Sequence, residues 1–303
     1  MKNHFTFAVV LLFLISFISA NLSAQDKQEI KKSFDKRSRV KIDLVTSNCK
    51  ITKSTDNKIN VKVVFDYDED DYEATIEDGG SRIHIEEEFY ANNPSGKAEW
   101  TIELPDDVEL DFESATGDLN MKGIKLELQG NSGTGNMDLE NCSGEFDLNS
   151  GTGDIALIGS EGKMKLNSGT GDVILTKCKG STEANSGTGD VAITNINLFD
   201  DSDFNSGTGD VEVSLASSPD CDLTVNSGTG NARLNYNGNE VKGEFELTCK
   251  EYDGSIRADV QFDSEKVQRR HGDFYEVKTF KRGTGMNRIH IGTGTGRAEF
   301  KTK

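Results

Sequence analysis

Proline and tryptophan are nearly missing: 303 residues hold three prolines and one tryptophan, Trp100. Apolar residues make up only 34%, little for a globular enzyme of this length but enough for a thin rod of small-residue coils. Positive charge is scarce too, with 34 Lys and Arg against 52 Asp and Glu, a formal charge of −18. A chain this acidic repels nucleic acid and anionic lipid, and self-repulsion keeps it soluble. The five cysteines, Cys49, Cys142, Cys178, Cys221 and Cys249, form no CxxC pair and no metal-type spacing. Cys142 and Cys178 each stand eight residues before a recurring serine. They are two repeats apart, about 9–10 Å, which is too far for a disulfide, so buried or corner thiols are expected. Beyond the expected signal peptide, the histidines His84, His271 and His290 are widely spaced and match no metal pattern.

Long apolar runs are equally few. The one from Phe5 to Ile18 follows Met1-Lys2-Asn3-His4 and leads into Ser19-Ala20-Asn21-Leu22-Ser23-Ala24-Gln25. One positive charge, a short apolar core and a small-x-small exit predict a secretory signal peptide over residues 1–24, cleaved after Ala24. The alternative, a transmembrane anchor, fits less well, since the run is short for a span and its exit is not basic. No Cys stands at the cleavage site to take a lipid, and no second run is long enough to cross a membrane. The expected location is periplasmic, cell-surface or secreted.

What is present in abundance is glycine, 31 residues, and much of it lies in one pentapeptide. Ser114-Ala115-Thr116-Gly117-Asp118 opens the series, and serines return at Ser132, Ser150, Ser168, Ser186, Ser206 and Ser227. The steps are 18, 18, 18, 18, 20 and 21 residues, and Thr293-Gly294-Thr295-Gly296-Arg297 is a relaxed last copy. A fixed period near twenty is the mark of a solenoid. Within one copy, Met164, Leu166, Ser168 and Thr170 share a parity and are expected on one inner face. After Gly171-Asp172 the parity flips to Val173 and Leu175, which places a corner there. The apolar columns hold from copy to copy, as in Leu110/Phe112, Phe146/Leu148 and Leu223/Val225 before the serine, and Leu119/Met121, Ile155/Leu157 and Val211/Val213 after it. The fold expected is all-β: a single-stranded parallel β-solenoid (β-helix) of about 18-residue coils, with at least two strands per coil.

The flanks are less regular. Residues 25–37 read as a polar tether. Residues 38–108 read as an irregular β cap, with Val40-Lys41-Ile42-Asp43-Leu44 and Trp100-Thr101-Ile102-Glu103-Leu104 alternating and Thr46-Ser47-Asn48-Cys49 a degenerate corner. Residues 109–234 carry the regular coils, and 235–303 hold degenerate coils, an insertion and the last coil. In that insertion Val260, Phe262, Phe274, Tyr275 and Val277 predict further strands as a hairpin. The two longer steps put extra residues at Leu198-Phe199-Asp200-Asp201 and Ser217-Ser218-Pro219-Asp220, and insertions on a solenoid gather on one edge, often the binding edge.

The Ser-Gly-Thr-Gly-Asp-Val units, the alternating strands before them and the Leu104-Pro105-Asp106-Asp107-Val108 entry together resemble a bacterial domain-of-unknown-function family labelled "putative adhesin". The resemblance covers about residues 35–303. It implies an exported surface or envelope β-solenoid, and it brings no catalytic residues.

Asp154, Asp172, Asp190 and Asp210 stack in one column, flanked by Asn136 and Asn231. A calcium ladder is one reading, but calcium solenoids repeat as nonapeptides, which this chain does not. Asn in the same column favours a hydrogen-bonded corner over a metal. Asn131, Asn149, Asn167, Asn185, Asn205 and Asn226 form an outer column in which stacked amides can bond along the rod. Serines and threonines are expected in inner hydroxyl ladders, and with no histidine column beside them they are poor nucleophiles. Gly-Thr-Gly without a following helix or Lys-Ser/Thr pair is no phosphate loop. Lys266, Arg269, Arg270, His271, Lys278, Lys281 and Arg282 form the basic cluster, read as a solvated face or a dock for an acidic partner, including the chain's own acidic N-terminal region.

The function expected is a non-catalytic, adhesin-like surface or envelope module, without cofactor, binding a surface, glycan or protein ligand. The alternatives are a carbohydrate-active β-helix enzyme (polysaccharide lyase or hydrolase) and a calcium-stabilised rod. The enzyme reading needs a groove joining Asp or Glu to Lys or Arg beside Asp200 and Asp220.

Overall fold

A computed structural model describes residues 27–270 and 272–303. The expected signal peptide and its expected cleavage site at Ala24 lie outside the described residues, as does His271. The described chain is all-β, with no helix.

Strands alternate between two ladders. One contains Glu109–Ser114, Lys125–Ser132, Ser143–Ser150, Glu161–Ser168, Lys179–Ser186, Ser202–Thr208 and Leu223–Thr229, each parallel to the next. The other contains Leu119–Lys122, Met137–Glu140, Ile155–Ile158, Val173–Thr176, Val191–Leu198, Val211–Leu215 and Ala232–Asn235, also parallel. The register sets Ser132 against Ser150, Ser150 against Ser168 and Met137 against Ile155. Like residues therefore face like residues. Phe112, Phe146, Phe204, Leu148, Leu166, Ile155, Val173 and Val211 are all buried between the ladders. Alternation has a direct cause: β-branched and aromatic side chains at every second position pack inward, while charged neighbours take the solvent face.

The corner differs in one respect from the sequence expectation. Thr152 and Thr170 are exposed, whereas Gly153 and Gly171 are buried. The cause is the serine. Its Oγ accepts the amide of the glycine three residues on, at 2.8 Å for Ser150–Gly153 and for Ser168–Gly171. That bond bends the chain at once and turns threonine outward. The same hydroxyl donates to the glycine carbonyl one copy earlier, 2.9 Å from Ser168 to Gly153 and 2.8 Å from Ser186 to Gly171. There is thus no threonine ladder inside, and the serines bond backbone rather than each other. Glycine is obligatory because copies touch here: a Cβ on Gly171 would lie 2.3 Å from the Gly153 carbonyl oxygen.

Both ends of the stack are built out of chain order. Arg39–Leu44 pairs in parallel with Glu109–Ser114 on one side and with Arg82–Phe89 on the other. Asn48–Lys53 likewise lies between Ala98–Leu104 and Leu119–Lys122. Antiparallel strands then close that end: Tyr72–Asp78 on Arg82–Phe89, Lys58–Phe65 on Ala98–Leu104, and Gln28–Asp35 on Lys58–Phe65. Residues 28–35 are therefore the outermost strand rather than a tether, because Ile30 and Phe34 pack against the core.

At the other end, Arg288–Lys301 pairs with Leu223–Thr229 and Ala232–Asn235 on one side and with Gly243–Lys250 and Gly254–Ala258 on the other. The last copy in sequence is not the last in space. The expected hairpin is present as Ser264–Arg270 with Asp273–Arg282, which pairs with Gly243–Lys250.

Candidate functional site

The aspartate column is a continuous backbone tie. The Oδ1 of Asp154 accepts the amide of Asp172, Asp172 that of Asp190, and Asp190 that of Asp210, each at 2.8 Å. The chain of bonds runs further, from Asn48 through Asp118, Asn136 and Asp154 at one end, and from Asp210 to Asn231 and Arg297 at the other. Each bond needs one side-chain acceptor oxygen and one amide, so Asn and Asp serve alike. Partial burial raises Asp210, but the Asn231 amide and side chain and the Arg233 guanidinium outweigh it and hold the carboxyl below its ordinary range. Asp138, on the neighbouring strand, goes the other way: burial and the Asp118 and Asp154 carboxylates push it up. Among the described residues no group of three or more His, Cys, Asp or Glu is arranged for a metal ion.

The asparagine column bonds along its length as well. Nδ2 of Asn149, Asn167, Asn185 and Asn205 donates to Oδ1 of the asparagine before it, at 2.9–3.2 Å.

All five cysteines are free thiols. Cys142 and Cys178 share a column with Ser160 between them, whose Oγ accepts the Cys142 amide at 3.2 Å. Burial pushes both thiols up.

The insertions are tied down by their own aspartates and by the C-terminal strands. Asp201 Oδ1 accepts the amide of Asp222 at 2.9 Å, and Asp222 Oδ1 that of Arg288 at 2.7 Å, a second short aspartate tie. Asp220 pairs with Lys242, and the Pro219 carbonyl accepts Asn287 Nδ2 at 3.2 Å.

Charge of both signs meets instead at the C-terminal hairpin. A cavity of about 560 Å³ is lined by Glu244, Glu246, Asp263, Lys281, Arg288 and His290 over the Phe245 and Phe280 rings, which stack at 4.4 Å. His290 Nδ1 stands 3.5 Å from Glu246. Burial holds this imidazole below its ordinary range, with Arg270 acting in the same direction and Glu246 against it. The basic cluster is thereby located. Lys281 pairs with Glu244 at 2.7 Å, Lys278 with Glu276 at 2.9 Å, Arg282 with Asp263 at 3.3 Å and Arg270 with Glu246 at 3.2 Å. Its acidic partners are local, and the acidic N-terminal region lies at the opposite end of the stack.

One polar centre escapes sequence reading. Glu87 is buried and accepts Tyr72 Oη at 3.0 Å, Trp100 Nε1 at 3.1 Å, Ser47 Oγ, and the Val45 and Thr46 amides. Within Glu86-Glu87-Glu88 the signal is parity, since Glu87 continues the inward series Ile83, Ile85. It occupies the serine column beyond Leu44, and its five donors replace what a hydroxyl does elsewhere.

A family model described as Toastrack DUF4097 matches residues 29–293. No curated protein matches. Among solved structures, one described as a "putative adhesin" from Parabacteroides distasonis is 14% identical, covering 91% of this chain and 98% of that one, TM-score 0.42. Another so described, from Bacteroides fragilis, is 10% identical over 91% and 98%, TM-score 0.37. A "putative lipid binding protein" from Parabacteroides distasonis is 11% identical over 90% and 97%, TM-score 0.39.

Proposed function

We propose that this chain, which belongs to the Toastrack DUF4097 family, is an exported, non-catalytic binding module of the cell surface or envelope, built as a parallel β-solenoid of 18-residue coils. The solenoid reading is supported by the parallel register of the two ladders and by the aspartate tie that runs from Asn48 to Arg297. One observation carries the functional reading: the two repeated chemical groups, serine hydroxyl and aspartate carboxylate, are held by backbone partners at every regular corner. Each hydroxyl and one oxygen of each carboxylate are thereby tied into the backbone, which supports a structural role for both columns. No described helix is long and apolar enough to cross a membrane. Binding then falls to outer surfaces, and the C-terminal groove combines apolar floor with both charges, the usual composition of a ligand site.

The test is an array of glycans and matrix proteins screened with residues 25–303, with and without calcium. Binding to a defined ligand, lost in the Lys281→Glu/Arg288→Glu variant, is the expected result. Silence across the array in both conditions would sink the binding reading and leave a purely structural role.

The same groove favours a second reading, a carbohydrate-active enzyme, because Glu246 stands beside His290 and Arg270. Release of reducing ends or unsaturated sugars from a polysaccharide panel, abolished by Glu246→Gln, would establish it.

A further inference from the structure

The first ladder ends in two unpartnered edges of opposite charge. At one end, among the described residues, Tyr72–Asp78 pairs only with Arg82–Phe89, and its Glu73 and Glu77 are exposed. The preceding Asp68-Glu69-Asp70 is exposed as well. At the other end, among the described residues, Ser264–Arg270 pairs only with Asp273–Arg282. There Lys266 and Arg269 have no carboxylate partner among the described residues, and Arg269 lies 5.9 Å over the Phe274 ring. Val267 and Phe274 are exposed apolar residues on the same hairpin. A free edge offers a row of unpaired amides and carbonyls to another strand.

We propose that the protein assembles head to tail, the Ser264–Arg270 edge of one copy pairing with the Tyr72–Asp78 edge of the next. Strand direction permits it. Ser264–Arg270 follows two antiparallel steps from Gly243–Lys250 and so runs with the ladder, whereas Tyr72–Asp78 runs against it. Stacked copies meet there as an antiparallel pair. The register that sets Lys266 against Glu77 also sets Arg270 against Glu73 and Val267 against Ile76. Two opposite-charge pairs and one apolar pair then face each other across the new ladder step. Such a contact joins different surfaces and does not close, so it builds an open filament rather than a dimer.

The net charge of −18 opposes side-by-side contact. Near 0.1 M salt the screening length is about 10 Å, so only charges at the contact itself are felt. One local device resists pairing: Lys32 Nζ donates to the Ile76 carbonyl at 2.8 Å and must leave it. Assembly is therefore expected only as concentration rises.

Sedimentation velocity on residues 25–303 at near-physiological and at molar salt tests this. Mass should climb with concentration past two copies at the lower salt and fall back to monomer at the higher. Lys266→Glu/Arg270→Glu and Glu73→Lys/Glu77→Lys should each be monomeric and still unfold cooperatively, Arg270→Glu giving up only a part-exposed pair with Glu246. Their equimolar mixture should assemble again, since each new end complements the other variant. A wild-type chain that stays monomeric, a mass that stops at the dimer, or two folded variants that ignore each other overturns the proposal.

Discussion

Asn231 Oδ1 accepts the amide of Arg297 at 3.1 Å across 66 residues of sequence. The bond belongs to the same tie that links Asp154 to Asp172 and Asp172 to Asp190. One side-chain oxygen per copy, always in the same place, holds adjacent copies in register.

Asp172→Asn should leave thermal stability almost unchanged, because the amide oxygen replaces the carboxylate acceptor. Asp172→Ala should cost about 1 kcal/mol through loss of the Asp190 amide's partner. Urea denaturation of the pair separates the acceptor role from a charge role. Chelator should leave both melting curves where they are; a large downward shift would restore the calcium reading of Asp154, Asp172, Asp190 and Asp210.

At the corner, Gly171→Ala and Thr170→Ala are opposites despite adjacency. The first drives a Cβ to 2.3 Å from the Gly153 carbonyl oxygen and should destabilise by about 3 kcal/mol or more. The second removes an exposed side chain and should stay within about 0.5 kcal/mol. Comparable losses would return threonine to the interior.

Glu87→Ala strands the Trp100 indole N–H, the Tyr72 hydroxyl and two backbone amides in a buried site. A loss of about 3–5 kcal/mol is expected. Trp100 is the only tryptophan, so its fluorescence reports unfolding at this end directly.

Asp210 and Asp138 predict opposite pH effects. Asp210 sits below its ordinary value of 3.8 when folded, so its contribution is complete above that value and disappears as pH falls through the folded pKa. Asp138 is raised above 3.8, so its contribution is complete at lower pH and is lost as pH rises through the folded pKa. Asp138→Asn should therefore stabilise at neutral pH, by up to about 0.5 kcal/mol, with the gain gone near pH 3. Asp210→Asn should show its deficit at neutral pH and lose it in acid. Melting temperatures across pH 3–8 decide both.

Much of this was legible because the repeat writes the same environment many times. Leu166, Val173 and their counterparts announce burial by parity alone, and Asn in the aspartate column discloses what the oxygen is for. Threonine misled because parity counting assumes an extended chain, and the Ser168 hydroxyl bends it two residues sooner. Residues 28–35 read as a tether since Lys31, Lys32 and Ser33 dominate the segment, yet Ile30 and Phe34 are enough to seat an edge strand. The ends were hidden for a different reason. No local pattern states that Arg288–Lys301 slips between strands that precede it, because intercalation is a property of two distant partners. The C-terminal groove was equally invisible, as its Glu246, Lys281 and His290 come from three separate strands.

Because Arg288–Lys301 lies between Leu223–Thr229 and Gly243–Lys250, the order of synthesis and the order of stacking disagree. A nascent chain that has reached Lys250 still lacks the layer on which those eight residues rest. The C-terminal hairpin thus stays unanchored until Arg288–Lys301 has been made.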